Sequence, residues 1–114
     1  MSGGRMRRVD EAMRQVLGDA LAQELKDPRI GFVTVTDVKT SPDLRHARVY
    51  VSVLGTDAEQ EATLDGLRSA HGFLQGRVAS ELRLKRTPEL QFDLDHTAER
   101  AARLERLIEE AGGA

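Results

Sequence analysis

The stretch Ala47-Arg48-Val49-Tyr50-Val51-Ser52-Val53 puts an apolar side chain at every second position. Successive side chains of an extended chain point to opposite faces, so this period of two predicts a strand with one buried face. His46, Arg48, Tyr50 and Ser52 make up the wet face. Just upstream, Gly31-Phe32-Val33-Thr34-Val35-Thr36-Asp37-Val38 is rich in β-branched residues and too short for an ordinary helix. Thr40-Ser41-Pro42-Asp43 between the two has turn chemistry, and so short a link predicts an antiparallel hairpin. A half-buried hairpin needs a cover.

The cover is written on both sides of it. From Val9 the apolar residues Ala12, Met13, Val16, Leu17, Ala20, Leu21 and Leu25 recur at helical spacing, and Pro28 closes the segment. Beyond Gly55, Thr56 and Glu59 fit a capping box at the start of a second helix with Leu64 and Leu67 on its inner stripe. Ser69-Ala70-His71-Gly72 interrupts the pattern, which resumes as Leu74, Val78 and Leu82, so two helices are expected to meet at a kink. Thr87-Pro88 ends the third helix. Leu90, Phe92 and Leu94 alternate as a third strand, whose neighbour in the sheet stays open between the first and the second. Thr97 is expected to cap a last helix carrying Ala101, Leu104, Leu107 and Ile108. The order α-β-β-α-α-β-α predicts an α+β fold, a two-layer sandwich with helices on one face of a small sheet.

Length and composition bound the rest. A chain of 114 residues is one domain by length. The expected division is a flexible basic arm over 1–8, a single domain over 9–110 and a frayed tail over 111–114. No apolar run approaches the roughly 20 residues of a membrane span, and no apolar stretch follows the basic N-terminus to make a secretory signal. The absence of cysteine excludes disulfides and thiolate metal sites and fits a reducing cytoplasm. A monomer is expected when free.

Net charge is −2, but the charges are segregated. Arg5, Arg7 and Arg8 stand without an acid in residues 1–8. Asp57, Glu59, Glu61 and Asp65 stand without a base in 57–67. Arg68, Arg77, Arg83, Lys85 and Arg86 face Glu81 alone in 68–88. Salt screens charges beyond about 8–10 Å, so a polyanion meets the local patch before it meets the net charge.

Four segments, in order and in register, resemble the ribosome-binding factor A family. They are Asp27-Pro28-Arg29-Ile30-Gly31 running into Val33–Val38, Ser41-Pro42-Asp43-Leu44 followed by Ala47–Val53, Gly72-Phe73-Leu74, and Leu84 through Arg86-Thr87-Pro88-Glu89-Leu90 to Phe92. The likeness runs from about Arg7 to Ile108. It implies a type II KH-like domain that binds the small (30S) ribosomal subunit and assists late maturation of 16S rRNA, notably in the cold. It also implies an Ala-x-Gly helix kink, here Ala70-His71-Gly72 after Ser69, in place of the GxxG loop with which ordinary KH domains clamp a backbone.

The residues expected to contact RNA are Arg5, Arg7, Arg8, Arg45, Arg77, Arg83, Lys85 and Arg86. Arginine hydrogen-bonds phosphate in a fork, and dense cations displace condensed counterions. The same arginines also suit a merely solvated surface. Ala70 and Gly72 also suit plain close packing of two helices, shaping a surface without touching RNA. His46, His71 and His96 fall on a strand, a kink and a loop, with no metal-ligand spacing, and no cofactor or metal is expected. Asp93 and Asp95 read as a solvated sheet face rather than catalytic carboxylates. Phe73 and Phe92 read as core, which leaves Tyr50 as the surface ring. The function expected is binding without catalysis, by an RNA-binding assembly factor. The alternative is a protein-interaction module without direct RNA contact, using the last helix or an open sheet edge.

Overall fold

The computed structural model describes residues 2–112, excepting the side chains of Ser2, Gly3 and Arg5. Its elements are α1 (Ser2–Gln23), β1 (Val33–Thr40), β2 (His46–Val53), α2 (Asp57–Ser69), α3 (His71–Leu82), β3 (Glu89–Leu94) and α4 (Thr97–Gly112). β1 and β2 form the expected hairpin, antiparallel from Val33↔Val53 to Thr40↔Ala47. β3 runs parallel to β2, from His46↔Glu89 to Val51↔Leu94, and the sheet order is β1-β2-β3. The third strand's neighbour is therefore the second. The two-layer α+β sandwich, with its parallel third strand, is KH-like.

Alternation in β2 does what its sequence dictates: Ala47, Val49, Val51 and Val53 are all buried. In β1 the inward residues are Val35 and Val38, three apart, because a bulge between Val35 and Asp37 adds a residue. Thr36 is thereby turned to the outer face. Leu90 and Phe92 extend the apolar surface across β3. Onto it pack Met13, Leu17, Ala20 and Leu21 of α1, Leu64 and Leu67 of α2, and Leu74 and Val78 of α3. Phe73 is not core: it stands 43% exposed, one residue off the Leu74–Val78 stripe. The outer face of the sheet is left polar, with Arg48 meeting Asp93 at 3.3 Å across β2 and β3.

Two terminal expectations change. α1 reaches back to Ser2, so residues 2–8, expected as a flexible arm, are its first turns. Arg5-Met6-Arg7-Arg8 is a run of good helix formers with nothing to break it. At the other end Ala111 and Gly112 belong to α4 rather than to a frayed tail, and residues 113 and 114 lie outside the described residues. α4 buries no residue among those described, and Leu104, Leu107 and Ile108 are more than half exposed.

Nor does Thr97 cap α4. The side chain at that helix start belongs to Asp95, whose Oδ1 accepts from the Thr97 amide at 2.9 Å. Its Oδ2 accepts from the Thr36 hydroxyl on the bulge. The Thr36 hydroxyl most of all, then the Thr97 hydroxyl and amide, favour the ionised carboxylate and hold Asp95 at about 2, below its ordinary 3.8. A pKa lowered by folding adds stability above the unfolded value and loses it as pH falls toward the folded one. The melting temperature of Asp95→Ala is therefore expected below that of the unmodified chain by a constant gap above about pH 5, closing between about pH 4 and pH 2. Thermal melts across that range check it, and a gap that does not change with pH would contradict it.

Candidate nucleic-acid interface

Parallel pairing of β3 with β2 decides which loops share an end of the sandwich. β1 finishes, β2 begins and β3 begins at one end, where the Glu89 amide donates to the Arg45 carbonyl at 2.8 Å. The hairpin turn 41–45 and the α3–β3 loop 83–88 therefore meet there. α1 is tied to the same end, because the Thr40 amide donates to Asp10 Oδ1 at 3.0 Å. Arg7 and Arg8 lie three and two residues before Asp10 on the same helix. Three segments far apart in sequence converge.

The turn is built locally. Asp43 Oδ1 accepts from the Ser41 hydroxyl at 2.6 Å and from the Arg45 amide at 3.0 Å, and the Leu44 amide closes onto the Ser41 carbonyl at 2.9 Å. These bonds hold the Asp43 carboxyl below the usual carboxylate range, the Ser41 hydroxyl most of all. Leu44 has φ 61, and Arg83, the C-cap of α3, has φ 48. Left-handed backbone is costly for a side chain bearing a Cβ. Two strained residues thus mark the two loops that carry the cations.

The expected contact residues separate into groups. Arg7, Arg8, Arg83, Lys85 and Arg86 are exposed, and none of the ion pairs among the described residues involves them. Arg45 is exposed and meets only Asp43, at a long 3.9 Å. Arg77 differs: its guanidinium lies 3.1 Å from Glu24 and 3.2 Å from Glu81, a brace between α3 and α1. Its charge is already matched. Arg5 lies on α1, with its side chain outside the described part.

At the kink, α2 ends on Ser69 and α3 starts on His71, with Ala70 between them at φ −86, ψ 8. The Ala70 amide still bonds back to Gly66 and Leu67 carbonyls, at 3.0 and 3.1 Å. Close packing does not explain Gly72, since a Cβ built there meets nothing within 4 Å. Beside the kink and the free edge of β3 lies a surface cleft lined by Arg48, Arg68, His71 and Gln91. Neither Arg48 nor Arg68 is among the residues expected to contact RNA: Arg48 is one charge on the wet face of its strand, and Arg68 counts only toward the basic run 68–88. Their ion pairs, to Asp93 and to Asp65 at 3.9 Å, are exposed and of the kind worth ~0–1 kcal/mol. Among the described residues no group of three His, Asp or Glu side chains is placed to hold a metal ion, and no helix is long and apolar enough to cross a membrane.

Fold and surface together define a class: a small KH-like domain with a break between α2 and α3 and with cations gathered at one end of its sheet. The chain belongs to the ribosome-binding factor A family, whose model matches residues 5–108. It is similar to the crystal structure of ribosome-binding factor A from Thermus thermophilus, at 28% identity and TM-score 0.70 over 78% of this chain and 93% of that one. A solution structure from Thermotoga maritima, described as a putative ribosome binding factor A, is 41% identical with TM-score 0.71, over 78% and 85% of the two chains. A homology model of the Thermus thermophilus protein, fitted into the electron cryo-microscopy map of a 30S complex, matches with TM-score 0.64 and 29% identity, over 75% and 90%.

Proposed function

We propose that this chain is a non-catalytic, RNA-binding assembly factor of the cytoplasm that binds the small ribosomal subunit through 16S rRNA. On this reading it assists late maturation of that rRNA and serves adaptation to cold. The observation that carries it is the convergence of Arg7, Arg8, Arg45, Arg83, Lys85 and Arg86, from three separate segments, on one end of the sheet. The Thermus thermophilus relative in a 30S complex supports the choice of partner. Binding does the work: a cationic end that fits one arrangement of an rRNA region raises that arrangement's population by the difference in affinity. Tyr50 is half-buried with Lys39 above its ring at 6.0 Å, so the grip rests on charge and shape more than on base stacking.

Sedimentation with purified immature and mature small subunits over a salt series tests this. Six phosphate contacts imply an affinity loss of about a thousandfold between 50 and 200 mM salt. Co-migration with neither particle at low salt overturns the reading. The exposed stripe of α4, Leu104, Leu107 and Ile108, favours the second reading, a protein-interaction module without direct RNA contact. That reading expects weak salt dependence and indifference to the loss of those cations.

A further inference from the structure

The end of the sandwich opposite the cations carries a different surface. There β1 begins and β2 finishes, and the Leu54 amide donates to the Phe32 carbonyl at 3.1 Å, extending the Val33↔Val53 register by one pair. Val33 and Val53 turn toward the helices, so alternation sends Phe32 and Leu54 the other way. Phe32 is 81% exposed and Leu54 76%. Two large apolar side chains side by side and uncovered differ from the scattered single ones that any surface carries.

The chain that follows Leu54 is acidic. Asp57, Glu59 and Glu61 begin α2 immediately beyond Gly55, and no base occurs from 57 to 67. Glu59 is spent on its capping box with Thr56, but Asp57 and Glu61 are exposed and take part in no ion pair among the described residues. Arg29, the cation nearest in sequence, is held by Asp27 at 2.7 Å. Phosphate is repelled by such a surface, whereas a lysine- or arginine-rich peptide is attracted to it.

We infer that Phe32 and Leu54, with the acidic start of α2 at Asp57 and Glu61 just beyond them in the chain, form a docking site for a basic protein segment bearing an apolar anchor, of the kind ribosomal proteins present among rRNA. This rests on the assembly reading, and it makes the molecule bipolar: one end for RNA, the other for a protein lodged in that RNA. Small-subunit particles would then be held at two points, while protein-free 16S rRNA would be held at one.

The test compares complete small subunits with protein-free 16S rRNA as binding partners of the full chain. Phe32→Ser with Leu54→Ser is expected to weaken binding to complete subunits about tenfold, equal to ~1.4 kcal/mol, and to leave binding to bare rRNA unchanged. Asp57→Asn with Glu61→Gln, which keeps the apolar pair, is expected to weaken only the complete subunit, by about threefold. Both side chains of the apolar pair are exposed, so the fold should persist, and circular dichroism melts verify it. Unchanged affinity for subunits overturns the inference, as does an equal loss on both partners, which would make the patch an RNA contact. Concentration-dependent dimerisation abolished by Phe32→Ser overturns it too, by assigning the patch to a second copy. Failure of the assembly reading looks different, because the unmodified chain would then bind neither partner.

Discussion

Exchanging Arg83, Lys85 and Arg86 together for glutamate is expected to cut affinity for the small subunit by about a thousandfold at low salt, about tenfold for each charge. All three side chains lie on the α3–β3 loop or its threshold and are exposed. None is braced by a carboxylate among the described residues, so their charge is available to a polyanion and the fold does not depend on it. The slope of log affinity against log salt is expected to flatten by about 2 to 3 even for the milder exchange to glutamine, because three counterion-releasing contacts are gone. Arg77→Gln should behave differently. Its guanidinium already serves Glu24 and Glu81, so its loss should lower stability and leave the salt slope alone. Arg83→Gly separates the two kinds of effect in one side chain. Glycine relieves the left-handed backbone at φ 48 and should raise stability by up to ~1 kcal/mol, while removing a cation and weakening binding. Affinity by sedimentation, paired with urea unfolding of each variant, reads both. Equal slopes for the triple variant and the unmodified chain would place the RNA contact elsewhere.

That contrast between Arg77 and its neighbours shows where sequence stops being informative. Glu81 stands one helical turn from Arg77 and is visible as a local partner, but Glu24 lies 53 positions away and is brought in only by packing of α3 on α1. Short-range features were legible. β2's four inward residues, the Thr56–Glu59 capping box with both its bonds, and the break after Ser69 all follow from spacings within one element. The partner of β3 was not, since Leu90 and Phe92 would make the same apolar face beside either strand. Yet that single choice, parallel to β2, is what assembles the cationic end. The bulge at Thr36 did leave a signal, in the three-residue step from Val35 to Val38 where alternation demands two. Phe73 misled because it adjoins the apolar Leu74, and only the phase set by Leu74 and Val78 turns it outward. The extension of α1 to Ser2 was obscured by Gly3 and Gly4, though Arg5 to Arg8 favour helix.

Gly66 provides the sharpest stability contrast. It lies buried inside α2, and a Cβ there would stand 2.7 Å from Ile30 Cγ1, 3.3 Å from its Cδ1 and 3.4 Å from Arg29 Cβ. The loop cannot simply lift away. Thr63, one turn earlier, accepts from the Gly31 amide at 3.3 Å and holds its hydroxyl 3.3 Å from the Arg29 carbonyl, so residues 29–31 are pinned to the helix. In a free helix alanine would gain about 1 kcal/mol over glycine. Overpacking costs ~1–3 kcal/mol, so Gly66→Ala should end destabilised by about 1 kcal/mol and Gly66→Val by about 2 to 4. Gly72 is the control: it lies in α3 with open space where its Cβ would be, and Gly72→Ala should stabilise by ~0.5–1 kcal/mol. Ile30→Ala costs something alone, because Ile30 is partly buried against the core. In the Gly66→Ala background it should cost less, with a favourable coupling of ~1 kcal/mol in the double-mutant cycle. Urea unfolding of the set decides the matter. If Gly66→Ala stabilises as much as Gly72→Ala, the loop is not seated on α2 as closely as these contacts require.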